Sequence, residues 1–136
     1  MNARTKARIR AVEVLFEAEA RNVPVVSAME LRREVTDQQI SEYTETILRG
    51  VDHKLPRIDE YLETYSKGWS LERMPAVDRA ILRVATWELF FNDDVPDKVA
   101  VKEAGDIAAE LSTDDSPEFV AGLLGRLLEL KPTLLA

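Results

Sequence analysis

The 136-residue chain has no cysteine and a single histidine. That excludes a disulfide framework, thiolate metal sites and Cys–His nucleophilic pairs, and it suits a reducing compartment. Glycine is sparse, with five residues, and neither the phosphate-loop pattern GxxxxGKS/T nor GxGxxG occurs. No apolar run approaches the roughly 20 residues that span a bilayer. The basic N-terminus lacks the apolar stretch of a signal peptide. The expectation is a cytoplasmic protein with no membrane segment, cofactor or metal. No segment alternates with period two, so strands are not expected either.

What remains is a chain with 46% apolar and 32% charged residues, the balance of a globular protein, long enough for one domain with a core. The net charge of −7 divides unevenly. Arg4, Lys6, Arg8 and Arg10 stand in residues 1–12 with no acid, so that end carries +4 and the rest −11. An acidic body repels nucleic acid at long range, whereas a local basic cluster can grip a phosphate backbone. Cations also oppose the dipole at a helix N-terminus. The cluster therefore reads as simple solvation or as a site awaiting an anion.

The most continuously apolar stretch, MPAVDRAILRVATWELFF at residues 74–91, leaves only a narrow polar strip through Arg79, Arg83 and Thr86. It predicts the central helix of a bundle, with Pro75 at its first turn. Around it the 3.6-residue period predicts a helix over 3–21 with Ala7, Ala11, Val14, Leu15 and Ala18 inward, broken at Asn22-Val23-Pro24. A short second helix is capped by Ser27 and Glu30, with Ala28, Leu31 and Val35 as its apolar side. A third opens at Thr36-Asp37-Gln38-Gln39 and bends or restarts at Pro56. Helices over 97–111 and about 116–130 complete the set. Gly122 and Gly125 in the last suggest close packing against another backbone. The fold class is all-α, with sub-bundles of approximately 1–67 and 68–136.

Catalytic chemistry has little to stand on. His53, between Asp52 and Lys54, reads as a surface residue. Asp93-Asp94 and Asp114-Asp115 precede helices, where capping accounts for them better than a paired-carboxylate site does.

Two stretches carry a resemblance. RTKARIRAVEVLF resembles the Arg-rich opening helix of the bacterial transcription antitermination factor NusB family. The run from Trp69 resembles that family's C-terminal half, through DRAILRxAxxEL, DVPxKVAVxEA and DSxxFVxG. Residues 22–66 match mainly in length and helical pattern. The resemblance implies a NusB-like fold of two small packed helix bundles and a non-enzymatic role. That role is binding the boxA element of rRNA-operon leader RNA, together with the ribosomal protein that acts as NusE, so that RNA polymerase reads through terminators. By match to the motif, Arg4, Lys6 and Arg8 form a basic arm on RNA, and Phe16 stands where the family commonly has tyrosine. Asp78, Arg79, Asp115 and Phe119 lie on the same RNA surface. Cations on phosphates, rings on bases and carboxylates on base amino groups make this assignment sensible. Phe119 also fits a core position, and Asp115 also fits a cap.

The chain departs from the family at FVAG, where Ala121 replaces the usual asparagine, and at Thr5 and Ile9, which thin the arginine cluster. These changes and the acidic body motivate an alternative, a protein-interaction scaffold of the same fold with weak or lost RNA binding. Charge complementarity with a basic ribosomal protein points to Glu88, Asp93, Asp94 and Asp97 as its contact surface.

Overall fold

A computed structural model describes residues 2–36 and 39–136. The described residues form six α-helices: α1 (Ala3–Arg21), α2 (Val25–Val35), α3 (Glu42–Tyr65), α4 (Ala76–Phe91), α5 (Asp97–Leu111) and α6 (Ser116–Leu134). A single 3₁₀ turn, Leu71–Arg73, leads into α4. No strand occurs among the described residues.

Local chemistry accounts for the helix ends. Asn2 caps α1 by accepting from the Thr5 N–H at 2.8 Å. Asn22 closes the helix in the left-handed region (φ 55°), and the Val23 N–H reaches back to the Ala18 carbonyl at 3.0 Å. Asparagine tolerates that conformation better than most residues. Gly68, at φ 77°, turns the chain between α3 and the 3₁₀ turn.

α4 is the centre of the bundle. Eleven of its 16 residues are buried, and it packs against α1, α3, α5 and α6. Thr86, expected on the polar strip, is buried with them. α3 approaches α4 at Gly50, where a Cβ would overlap the Trp87 indole. Glycine is required there by contact alone.

Several local expectations are corrected. α2 starts at Val25 behind Pro24, two residues before the Ser27 cap. Its buried residues are Ala28 and Met29, while Leu31 and Val35 face solvent. α3 opens at Ser41, whose hydroxyl accepts from the Thr44 N–H at 3.1 Å. Of the expected opening at residues 36–39, Asp37 and Gln38 lie outside the described residues. α3 also runs through Pro56 without restarting. An interior proline costs about 3 kcal/mol, and Ile47, Leu48 and Val51 before it and Ile58 and Leu62 after it all bury on the same core. At about 1.5–3 kcal/mol per buried aliphatic side chain, that packing outweighs one lost backbone bond. Gly122 and Gly125 have open space where a Cβ would stand, so close packing does not explain them. α6 continues to Leu134.

Candidate nucleic-acid interface

α1 runs antiparallel to α4, tied at each end by an arginine–carboxylate pair. Near the start of α1, both Glu88 carboxylate oxygens of α4 accept from Arg8 Nε at 2.9 Å. Near its end, Glu19 accepts from Arg79 of α4. α5 lies beside α1 in the same direction, with Arg8 Nη1 donating to Glu103 at 2.7 Å and Phe16 lying near Leu111.

The basic arm therefore has two kinds of member. Arg4 and Lys6 are exposed, and the Arg4 guanidinium lies 4.1 Å from the centroid of the Tyr43 ring, close enough for a cation–π contact. Arg8 is only 3% exposed. Its guanidinium is committed to Glu88 and Glu103, and Tyr43 also donates its hydroxyl to Glu88. Burial pushes the Arg8 pKa down, but the hydrogen bond and charge of Glu88 outweigh this, helped by Tyr43 and Glu103, and leave it raised. The Tyr43 hydroxyl is held well above its ordinary value, first by burial and then by Glu88, while Arg8 and Arg4 pull it down. This corrects two expectations. Arg8 has no free face for phosphate, and Glu88, 1% exposed, is interior and cannot belong to an acidic partner surface. A desolvated charge is retained only against a partner, and each supplies the other's.

At the opposite end of α4, Asp78 is 2% exposed. Its carboxylate accepts from the Ser112 hydroxyl at 2.5 Å and the Ser116 hydroxyl at 2.9 Å, pinning the α5–α6 connection to the start of α4. Arg79 is spent within the fold as well, donating to the carbonyls of Leu71 (2.7 Å) and Met74 (2.9 Å) and to Glu19. Asp115 is exposed and makes no side-chain bond to the helix it precedes, so capping does not account for it. It shares a pocket of about 280 Å³ with Phe119, Trp69, Pro75 and Thr113. Trp69, half exposed, meets Phe119 edge-on with ring centroids 6.5 Å apart.

Phe16 is 42% exposed and lies in a groove with Val77 and Leu111, the neighbours in sequence of Asp78 and Ser112. Asp78, Arg79, Asp115, Phe119 and Phe16 thus gather at one end. Arg4 and Lys6 lie at the other, since ten residues of α4 from Asp78 to Glu88 span about 15 Å. The sequence-predicted site is therefore two clusters joined along α1 and α5, with the arm some distance from Asp78.

Among the acidic candidates, Asp93 and Asp94 are exposed in the α4–α5 connection. Asp97 accepts from Lys131 Nζ at 2.7 Å. Neither Asp93-Asp94 nor Asp97 provides a side-chain cap to α5, which starts behind Pro96. His53 is exposed. No cluster of metal-ligating side chains occurs among the described residues, and no described helix is long and apolar enough to cross a membrane. Glu103, Ser112, Ser116 and Trp69 stand in these two clusters although periodicity alone did not single them out, and Tyr43, which periodicity places on the apolar face of α3, joins Arg8 and Glu88.

Exposed cations at one end and half-exposed rings beside a carboxylate at the other are chemistry that suits contact with a nucleic-acid strand. Residues 5–129 match the NusB family model. Over all 136 residues the chain is 61% identical to the transcription antitermination protein NusB of Pseudarthrobacter chlorophenolicus, covering 100% of both chains. A crystal form of T. maritima NusB superposes with a TM-score of 0.82 at 32% identity, covering 94% of this chain and 92% of that one. NusB in a crystal structure of the antitermination factors NusB and NusE with double-stranded RNA shares the fold, with a TM-score of 0.79 at 22% identity over 93% of this chain and 96% of that one. The chain belongs to the NusB family.

Proposed function

We propose that the chain is a transcription antitermination factor that acts by binding, without chemistry of its own, in the cytoplasm. It holds boxA-type single-stranded leader RNA of rRNA operons jointly with a ribosomal protein acting as NusE, and so promotes processive transcription by RNA polymerase. The observation that carries this reading is identity of 61% to a NusB over the full length of both chains. The surface chemistry agrees with it. Arg4 and Lys6 bind phosphates, and Phe16, Asp115 and Phe119 meet bases. Arg8, Asp78 and Arg79 act from within, fixing the helix ends on which those groups stand. The ribosomal protein docks on Asp93, Asp94 and Asp97, an acidic edge suited to a basic partner. The sub-bundles, approximately 1–67 and 68–136, work as one unit joined on α4.

Binding of labelled boxA-type RNA, with and without the purified ribosomal protein, tests the reading. The expected result is RNA binding that tightens when the partner is added. Partner binding with no RNA bound in either case would favour the interaction-scaffold alternative, in keeping with Ala121 in place of an amide. Charge reversal at Asp93 and Asp94 weakens partner binding if the acidic edge is the contact, and unchanged affinity sinks that assignment.

A further inference from the structure

The fold holds Arg4 in place without neutralising it. One turn further along α1, Arg8 is bound to Glu88 and Glu103 and has no charge to spare. Arg4 instead lies on the face of Tyr43, its guanidinium carbon 4.1 Å from the ring centroid, and among the described residues no carboxylate pairs with it. The difference decides what each group can do. An arginine in an ion pair must give up its acid before it takes a phosphate, whereas a cation–π contact occupies only the face of the guanidinium plane and leaves the N–H edges open. The ring under Arg4 is itself fixed by three helices. Tyr43 stands in the first turn of α3, where its neighbour Thr44 donates its hydroxyl to the Ala7 carbonyl of α1 at 3.0 Å. The Tyr43 hydroxyl donates to Glu88 of α4 and accepts from the side-chain amide of Asn92, at the end of α4, at 3.2 Å. Anchored through its hydroxyl, the half-buried ring is a rigid shelf beside the start of α1.

We propose that Tyr43 is the positioning residue of the basic arm, holding Arg4 in the geometry in which its guanidinium edge meets an RNA phosphate. This rests on the RNA-binding reading above. Tyr43 acts through Arg4 and touches no RNA itself. A free arginine side chain loses rotamer freedom when a phosphate fixes it, and the ring has already imposed part of that loss. Removing the ring returns the ordering cost to the binding step without removing a phosphate contact. Affinity therefore falls, while its salt dependence, which counts the phosphates neutralised, stays as it was.

The test follows the anisotropy of fluorescein-labelled boxA-type RNA titrated with the full chain across a series of salt concentrations. Tyr43→Leu is expected to bind about 2–12-fold more weakly, the ordering cost of one long side chain, at the wild-type slope of log K against log salt. Arg4→Ala, by contrast, loses about 0.7 of that slope. Tyr43→Phe keeps the ring and binds as wild type, although it gives up the hydroxyl bonds to Glu88 and Asn92. Placed on the Arg4→Ala background, Tyr43→Leu has no further effect on affinity, a result that a general loosening of the fold would not give. The stack is also read in the native chain, with no variant, as an upfield ring-current shift of the Arg4 δ-methylene protons in NMR spectra. Wild-type affinity in Tyr43→Leu, an equal loss on the Arg4→Ala background, or Arg4 δ protons at their random-coil shift overturns the positioning role. If the Arg4→Ala/Lys6→Ala double variant still loses affinity in that case, RNA binding by the arm stands. Absence of RNA binding by the wild-type chain, with and without the ribosomal protein, overturns both.

Discussion

Replacing Arg8 with methionine leaves the Glu88 carboxylate, 1% exposed, facing the Tyr43 hydroxyl with no cation against it among the described residues. Methionine approximates the length of the arginine stem, so the change removes charge and hydrogen bonds more than volume. Breaking a buried pair by deleting one partner costs about 3–5 kcal/mol, because the remaining charge stays desolvated. Against a total stability of about 5–15 kcal/mol, that is a large share. At roughly 3–4 °C per kcal/mol for a domain of this size, the melting temperature falls about 9–20 °C. Urea denaturation followed by circular dichroism reads the loss as a lower midpoint at unchanged slope. The double variant Arg8→Met/Glu88→Met removes both charges and recovers most of the stability, since apolar replacements of a buried pair are often neutral. A single variant within about 1 kcal/mol of wild type, but with weakened RNA binding and a salt slope smaller by about 0.7, refutes the structural role. It would return Arg8 to the phosphate-binding arm.

Other outcomes follow from the same geometry. Gly50→Ala drives a Cβ into the Trp87 indole and destabilises by about 1–3 kcal/mol in the same denaturation assay. Gly122→Ala, exposed and with open space around the new methyl, stabilises by about 0.4–1 kcal/mol. Acid should weaken the fold in part through Glu19, held below its ordinary 4.5 by the Arg79 hydrogen bond and then Arg83, against the opposing effect of burial. The unfolded chain then takes up the proton first. The contribution of Glu19 is therefore full above pH 4.5 and is lost as pH falls through the lower folded value. Glu19→Gln flattens the midpoint-against-pH curve in that window, and an unaltered curve contradicts the assignment.

Much of the frame is legible from periodicity and punctuation. α1 and α5 run where the apolar spacing puts them, because Asn2, Asn22, Pro96 and Ser112 punctuate them in sequence. The starts of α2 and α3 differ from the expected ones because Ser27 and Thr36 have the composition of caps, while Pro24 and Ser41 take the positions. The restart expected at Pro56 does not occur, because a local rule estimates the lost hydrogen bond without the core packing on either side. The buried polar groups were harder still, since charge suggests a surface and only tertiary pairing permits burial. Signals existed nevertheless. Arg8 stands four and seven residues before the buried Val12 and Leu15, and Glu88 follows Val84 and Ile81 at the same spacings. Both charges therefore sit on core faces, where a partner is required. Trp69 gave no periodic signal, because it lies in the connection between α3 and α4 and its ring contact is with Phe119, fifty residues away.

The most direct measurement of the central claim is the salt dependence of RNA binding. With Arg8 internal, the arm presents Arg4 and Lys6, and at about 0.7 per phosphate contact on a single strand these contribute about 1.4 to the slope of log K against log salt. The Arg4→Ala/Lys6→Ala double variant is expected to bind boxA-type RNA more weakly, with a slope smaller in magnitude by about 1.4, while losing no more stability than the Arg4–Tyr43 contact supplies, about 0.5–1 kcal/mol. A slope identical to wild type in that variant would contradict the account, because the N-terminal cations would then not touch the RNA backbone.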